Sequence, residues 1–231
     1  LVSRRKLRLA LTFAVVVAML SRTGGNVTEI ARSRSFFGVY SVVEVANAIA
    51  TYRFLYHGRV NHGGQIIGQP RRATTYYTVQ GPVGQFFLAA ERARLPLRRI
   101  GVVGLGAGAF ACQVPEETAI TYFEIDPEVE RIARTHFEFL EQCGQRLTVE
   151  IGDGRLSLEK QPDGAFDVIV LDAFSGDAIP THLLTREAFA LSFRYRNPVI
   201  ILGDGYLGQM TGMVKLPGNM TRPGLPSWAV W

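Results

Sequence analysis

An apolar run that stops at three alternating glycines constrains this chain most. Ile100–Val103 leads into Gly104, Gly106 and Gly108, and a second apolar run ends at Glu124, 20 positions after Gly104. Glycines let the backbone turn sharply and approach a ligand closely, and an acidic side chain at the tip of the next strand can accept hydrogen bonds from ribose hydroxyls. The segment Gly104-Leu105-Gly106-Ala107-Gly108-Ala109 satisfies both a G-x-G-x-G and a G-x-G-x-x-A reading. The layout predicts a strand–loop–strand unit that binds a nucleoside. Ile125 and Asp126 lead into a helix that Asp126 can cap, so Glu124 is left free for a sugar.

From Arg99 onward strands and helices alternate. Strands are predicted at Ile100–Val103, Ala119–Glu124, Leu147–Ile151, Phe166–Leu171 and Pro198–Leu202. Helices are predicted at Gly84–Arg94 and Pro127–Gln142; the second has Asp126 as N-cap, Pro127 at the first helical position and Gly144 beyond its end. Such alternation implies a doubly wound, Rossmann-like parallel sheet covered on both faces. Ahead of it, Phe37–Val45 and Ile49–Tyr56 are rich in Val, Tyr and Phe and punctuated by Asn47, Gly58 and Gly63. They predict a small antiparallel β unit over residues 35–80, preceded by a polar connector at Gly24–Arg34. The Rossmann-like part is expected over residues 81–205. Residues 206–231 are rich in Gly, Pro and Met without periodicity, and are expected to be irregular or truncated relative to a full fold.

The two ends and the cysteines bound the setting. The net charge is +5, with much of the excess early, in Arg4, Arg5, Lys6, Arg8, Arg22, Arg32 and Arg34. No dense basic run occurs in the catalytic part, so nucleic-acid binding is not the natural reading. Leu7–Leu20 is almost wholly apolar. At about fourteen residues it is short for a bilayer span, and the expectation for residues 1–23 is a membrane-associated helix, such as the trailing part of a transmembrane helix. That makes the protein membrane-associated, with the catalytic domain expected in the cytoplasm. Cys112 and Cys143 lack metal-ligand spacing and read as two inert, reduced thiols.

Four positions, Gly104, Glu124, Asp153 and Asp172, fall at carboxyl ends of predicted parallel strands, where ligands bind in open α/β sheets. Besides the glycine loop and Glu124, Gly152-Asp153-Gly154 follows Leu147–Ile151, and Asp172 follows Leu171. Asp153 reads as an acceptor for an adenine amine, or as a plain turn. Asp172, and Asp177 in the loop beyond it, suit a cationic substrate or the removal of a proton from an amine. In the β unit, Tyr76 and Tyr77 either reach the crevice or fill a strand face. His57 and His62 have no helical spacing and no nearby acid, so no metal is expected.

Together these pieces resemble the polyamine aminopropyltransferase (spermidine synthase-like) family, which has a methyltransferase-type Rossmann fold. The matching stretches are VVGLGAG (Val102–Gly108), YFEIDPEV (Tyr122–Val129), IGDGR (Ile151–Arg155) and FDVIVLDAFSGDAIP (Phe166–Pro180). FLYHGRVNHGGQ through TTYY looks like the family's small amino-terminal β domain, and the apolar start like the last membrane helix of its membrane-fused subgroup. The resemblance covers roughly Ser35 to Ala190. It implies that Gly104, Gly106, Gly108, Glu124, Asp153, Gly154 and Asp172 hold decarboxylated S-adenosylmethionine or S-adenosylmethionine. It implies catalytic roles for Asp172, Asp177 and Tyr77, a small-molecule amine acceptor and a homodimer. Ala107 stands where the family's loop carries an acid, Ser175 stands where its second aspartate falls, and acids near Tyr77 are absent. S-adenosylmethionine-dependent methyl transfer, and a catalytically inactive nucleoside-binding module of a membrane protein, therefore stay open as alternatives.

Overall fold

The structure of the protein is a computed structural model. The structure describes residues 25–78, 80–92, 94, 97–173, 180–183, 185–188, 199–202, 213–215 and 228–230. The apolar segment at Leu7–Leu20 and Asp177 lie outside the described residues. Among the described residues, no helix is long and apolar enough to cross a membrane.

The amino-terminal unit is a five-stranded antiparallel meander in the order β1-β2-β3-β4-β5: Asn26–Arg34, Val39–Ala46, Thr51–His57, Val60–Ile66 and Gln69–Ala73. Gly24–Arg34 is thus not a connector but mostly an edge strand. Its polar, outward-facing composition hides a ladder that β2 completes from Asn26 opposite Ala46 to Arg34 opposite Val39. A one-sided edge strand needs few apolar residues, so its sequence reads as a loop.

Helix α1 (Pro82–Arg92) leads into a second sheet in the order β10-β9-β6-β7-β8, formed by Val199–Leu202, Val168–Leu171, Arg99–Val103, Ala119–Glu124 and Leu147–Ile151. Every pairing in it is parallel. Alternate residues of its strands enter two separate cores. Ile100, Val102, Ile120, Tyr122, Val168 and Val170 face one side, with Phe110, Ile132 and Phe139. Val103, Phe123, Ile169 and Leu171 face the other, with Leu158, Phe166 and Leu183. Burial on both faces explains why these strands are continuous apolar runs. Each fully buried aliphatic or aromatic side chain contributes about 1.5–3 kcal/mol.

The predicted helix Pro127–Gln142 is two helices, α2 (Pro127–His136) and α3 (Phe139–Cys143), broken at Phe137, which is extended at φ −124°, ψ 152°. The break lets both Phe137 and Phe139 be buried, with their rings stacked 6.3 Å apart. The fully buried Gln65 of β4 stitches the gap: its carbonyl accepts from the Glu138 N–H at 3.1 Å and its amide donates to the Glu138 carboxylate. Helix α4 (Gly154–Lys160) follows β8. In the carboxyl-terminal region read as irregular, β11 (Met213–Lys215) and β12 (Trp228–Val230) form a short antiparallel ladder.

The two cysteines are not free thiols. Cys112 and Cys143 form a disulfide, with Cα atoms 5.1 Å apart. Gly108 explains the approach: a Cβ there would lie 2.6 Å from Leu140 Cδ2, so the turn after the glycine loop packs directly on α3. Spacing of 31 in sequence gave no sign of this contact.

Candidate functional site

The parallel sheet reverses its strand order beside β6, which pairs with β7 on one side and β9 on the other. Carboxyl ends at such a switch point splay apart and leave a crevice. Here the glycine loop leaves β6 with Gly104 at φ 98°; a Cβ there would sit 2.4 Å from the Asp172 carbonyl oxygen. Gly106, at φ 54°, crosses β4 so closely that a Cβ would lie 2.6 Å from the His62 carbonyl oxygen. That same carbonyl accepts the Ala107 N–H at 3.1 Å. The loop is therefore clasped between the two units, and only glycine fits at its crossings.

Glu124 is buried at the tip of β7. Its Oε2 accepts the Leu105 N–H at 2.9 Å and its Oε1 accepts the Asp126 N–H at 3.0 Å. Burial pushes its carboxyl above the usual range, and these two N–H bonds oppose the shift. Glu124 thus fixes the glycine loop to the start of α2, and each oxygen retains a further acceptor site. Asp126 caps α2 as expected, accepting from the Glu128 N–H at 2.9 Å. It also accepts from the Tyr40 hydroxyl at 2.8 Å and from the Ser35 hydroxyl, joining the β unit to the sheet. Burial, then the neighbouring Asp126, raise the Tyr40 pKa.

Asp153 does more than turn the chain. Its Oδ1 accepts the Leu156 N–H at 3.0 Å as the N-cap of α4, while its Oδ2 lies 3.4 Å from His182 Nε2. Asp172 differs from the others. Its Oδ1 is buried without a hydrogen-bond partner among the described residues, and burial pushes its carboxyl up to about 8. An unpaired buried carboxyl is costly unless it stays protonated or meets a cation.

Glu124, Asp153, Gly154 and Asp172 border one cleft of about 290 Å³ together with Gly104 and Gly106. Gly108 is buried beneath it against Leu140. The opposite wall comes from the β unit: Phe37, Tyr40, Leu55, His57 and His62. Tyr77 does not line the cleft. It is buried at 5% exposure, edge-on to Phe110 at 6.5 Å, so its ring fills the core. Sequence reasoning does not single out Tyr40 or His182. His182 carried one faint signal, its place just beyond Pro180 at the end of the matched stretch; Tyr40 carried none. Among the described residues no group of His, Cys, Asp and Glu is arranged to hold a metal ion.

No protein-family model matches the chain. It is 38% identical over 94 residues to the polyamine aminopropyltransferase of Vibrio vulnificus, a match covering 38% of this chain and 31% of that enzyme. A shorter stretch of 49 residues is 51% identical to the ketoisovalerate oxidoreductase subunit VorB of Methanothermobacter marburgensis, covering 20% of this chain and 14% of that subunit. In three dimensions the chain superposes on a probable spermidine synthase from Corynebacterium glutamicum with a TM-score of 0.60 and 22% identity, over 74% of this chain and 62% of that one. The chain thus spans about a third of the matched curated enzyme and under two thirds of the solved structure. In local sequence the chain is similar to a polyamine aminopropyltransferase, and in fold, with its Rossmann-like parallel sheet, to a probable spermidine synthase.

Proposed function

We propose that the chain is a transferase that binds an adenosyl sulfonium and moves an aminopropyl group from decarboxylated S-adenosylmethionine to an amine acceptor. The observation that carries this reading is the Oδ1 of Asp172, buried without a hydrogen-bond partner among the described residues, on a side chain that lines the switch-point cleft. A cation arriving there supplies the missing partner. Gly104 and Gly106 let the loop run along the cleft against the Asp172 and His62 carbonyls, where a Cβ on either would strike backbone, and the remaining acceptor sites of Glu124 suit ribose hydroxyls. Asp153, with its Oδ2 facing His182, is the residue to meet an adenine amine. The bound sulfonium supplies an electrophilic carbon and a neutral thioether leaving group. Asp172 steers the positive charge, Glu124 and the loop orient the nucleoside, and the aromatic wall of Phe37 and Tyr40 excludes water. Asp177 is retained as a candidate base for the acceptor, and tethering through Leu7–Leu20 as a further part of the reading; both rest on sequence alone.

Methyl transfer from S-adenosylmethionine is the second reading, and one residue favours it. Ala107 is 1% exposed and faces Gly63, where a Cβ would lie 3.0 Å from its own. No acid stands there to repel the carboxylate that S-adenosylmethionine carries and its decarboxylated form lacks.

Calorimetric titration in buffers of differing ionisation enthalpy tests the proposal. At pH 7 ligand-free Asp172 holds its proton, and a sulfonium should expel it. Binding of decarboxylated S-adenosylmethionine is expected to release close to one proton, binding of methylthioadenosine none, and Asp172→Asn to abolish the release. Binding of NAD in preference to any adenosyl sulfonium would overturn the reading. Formation of S-adenosylhomocysteine rather than methylthioadenosine during turnover would select methyl transfer.

A further inference from the structure

A second polar atom in the cleft has no partner. Nε2 of His62 is buried and makes no hydrogen bond among the described residues. His62 lines the cleft with Asp172, although it comes from β4 and Asp172 from the end of β9. Its backbone is not free to move away, because its carbonyl accepts the Ala107 N–H at 3.1 Å and sits against Gly106. The ring lies 5.7 Å from that of His57, which in turn stacks at 4.6 Å on Tyr40. His57 has other work, with Nε2 3.1 Å from the Phe37 carbonyl oxygen. The titratable groups bordering the cleft around His62 are Tyr40, His57, Glu124, Asp153, Asp172 and His182. Of these, Tyr40, Glu124, Asp153 and His57 already have partners. His62 and Asp172 thus line one cleft from opposite walls, and each carries a buried polar atom without a hydrogen-bond partner among the described residues.

We propose that His62 Nε2 receives an N–H of the attacking amine, and so aims the nitrogen lone pair at the carbon beside the sulfonium. This rests on the transferase reading above. A buried imidazole is a neutral acceptor: burial, and then the neighbouring His57, hold its pKa down to about 4. An amine nitrogen that gives one N–H to His62 keeps its lone pair for attack. The step balances without any proton passing to the ring. The C–N bond forms, the C–S bond breaks with its electron pair left on sulfur, and the product leaves as a secondary ammonium beside a neutral thioether. His62 would act on the acceptor and not on the nucleoside, which separates its role from those of Glu124 and Asp153.

The test has two readouts. In steady-state assays with decarboxylated S-adenosylmethionine and either n-butylamine or 1,4-diaminobutane, His62→Ala is expected to lower kcat/KM for the amine at least 30-fold. Methylthioadenosine affinity should stay within twofold, and His62→Gln, which keeps an acceptor, should recover most of the rate. An unchanged kcat/KM in His62→Ala would overturn the proposal, as would an equal loss of methylthioadenosine affinity. Independently, nitrogen-15 spectra of the imidazoles in the methylthioadenosine complex should show the His62 Nε2 resonance shifting when either amine is added; no shift overturns the proposal. If the wild-type protein turns over neither amine, the transferase reading fails, while the amine titration still decides His62.

Discussion

Asp172 and His62 are ionisable groups that the fold holds in their neutral forms, and their signs differ. An unfolded Asp titrates near 3.9, whereas folded Asp172 holds its proton up to about 8. Between those values the folded state binds more protons. Stability from this group is full below about 3.9 and is lost as pH rises toward 8. His62 runs the other way. Its folded value of about 4 lies below the unfolded value near 6.5, so its contribution is full above about 6.5 and is lost as pH falls toward 4. The two oppose one another between about 4 and 6.5. From about 6.5 to 8 Asp172 acts without His62. The unfolding free energy of the ligand-free protein is therefore expected to fall across pH 6.5–8, by up to about 1.4 kcal/mol per pH unit for one proton, and the urea midpoint with it. Asp172→Asn should flatten that fall. A midpoint that rises across the window would mean that Asp172 is ionised in the folded chain. At this scale the glycine loop, Glu124 and Asp172 were legible because strand tips and glycines leave local marks. The orphaned state of Asp172 Oδ1 and His62 Nε2 was not, since it depends on what other segments fail to offer.

Element boundaries followed local chemistry where local chemistry decides. Val168–Leu171 is buried throughout and is a strand; Asp126 accepts the Glu128 N–H and starts a helix. Where a distant group decides, the sequence misleads. Gln65 ends α2 from 73 residues away, and nothing between Pro127 and Gln142 announces it. The disulfide is the same kind of fact. It joins the turn at Ala109–Gln113, directly after the glycine loop, to α3. Closing a loop of that length restricts the unfolded chain by about 3–4 kcal/mol. In a protein of this size that corresponds to roughly 10 °C in Tm. Scanning calorimetry with and without a reductant should show such a drop, and Cys112→Ser with Cys143→Ser should start at the lower value and ignore the reductant. Two titratable thiols in protein purified without reductant would return Cys112 and Cys143 to the free state. A persistent bridge would also bear on setting, because disulfides endure mainly in oxidising compartments.

At the scale of the whole molecule, the β unit and the parallel sheet share one core. Tyr40, Val42 and Leu55 of the meander belong to the same buried cluster as Ile100, Val102 and Tyr122. Polar ties reinforce it: the Tyr40 and Ser35 hydroxyls donate to Asp126, and the Arg53 guanidinium donates to the His136 carbonyl while pairing with Glu44. The sequence marks two units but not this seam, because its partners lie 83 to 91 residues apart. The seam is also one wall of the cleft, so the position of His57 and His62 over the glycine loop depends on it. A shared core predicts shared unfolding. Tyr40→Phe removes one donor from a buried carboxylate and leaves the Glu128 and Ser35 donors in place, so a loss of about 1.5–3 kcal/mol is expected. Because both units go together, that loss should appear as a lower urea midpoint with an unchanged slope, and far- and near-ultraviolet circular dichroism should report the same transition. Two separated transitions, with only the earlier one moved by Tyr40→Phe, would mean that the β unit folds alone. The His62 wall would then be set by docking of a separate unit and not by a common core.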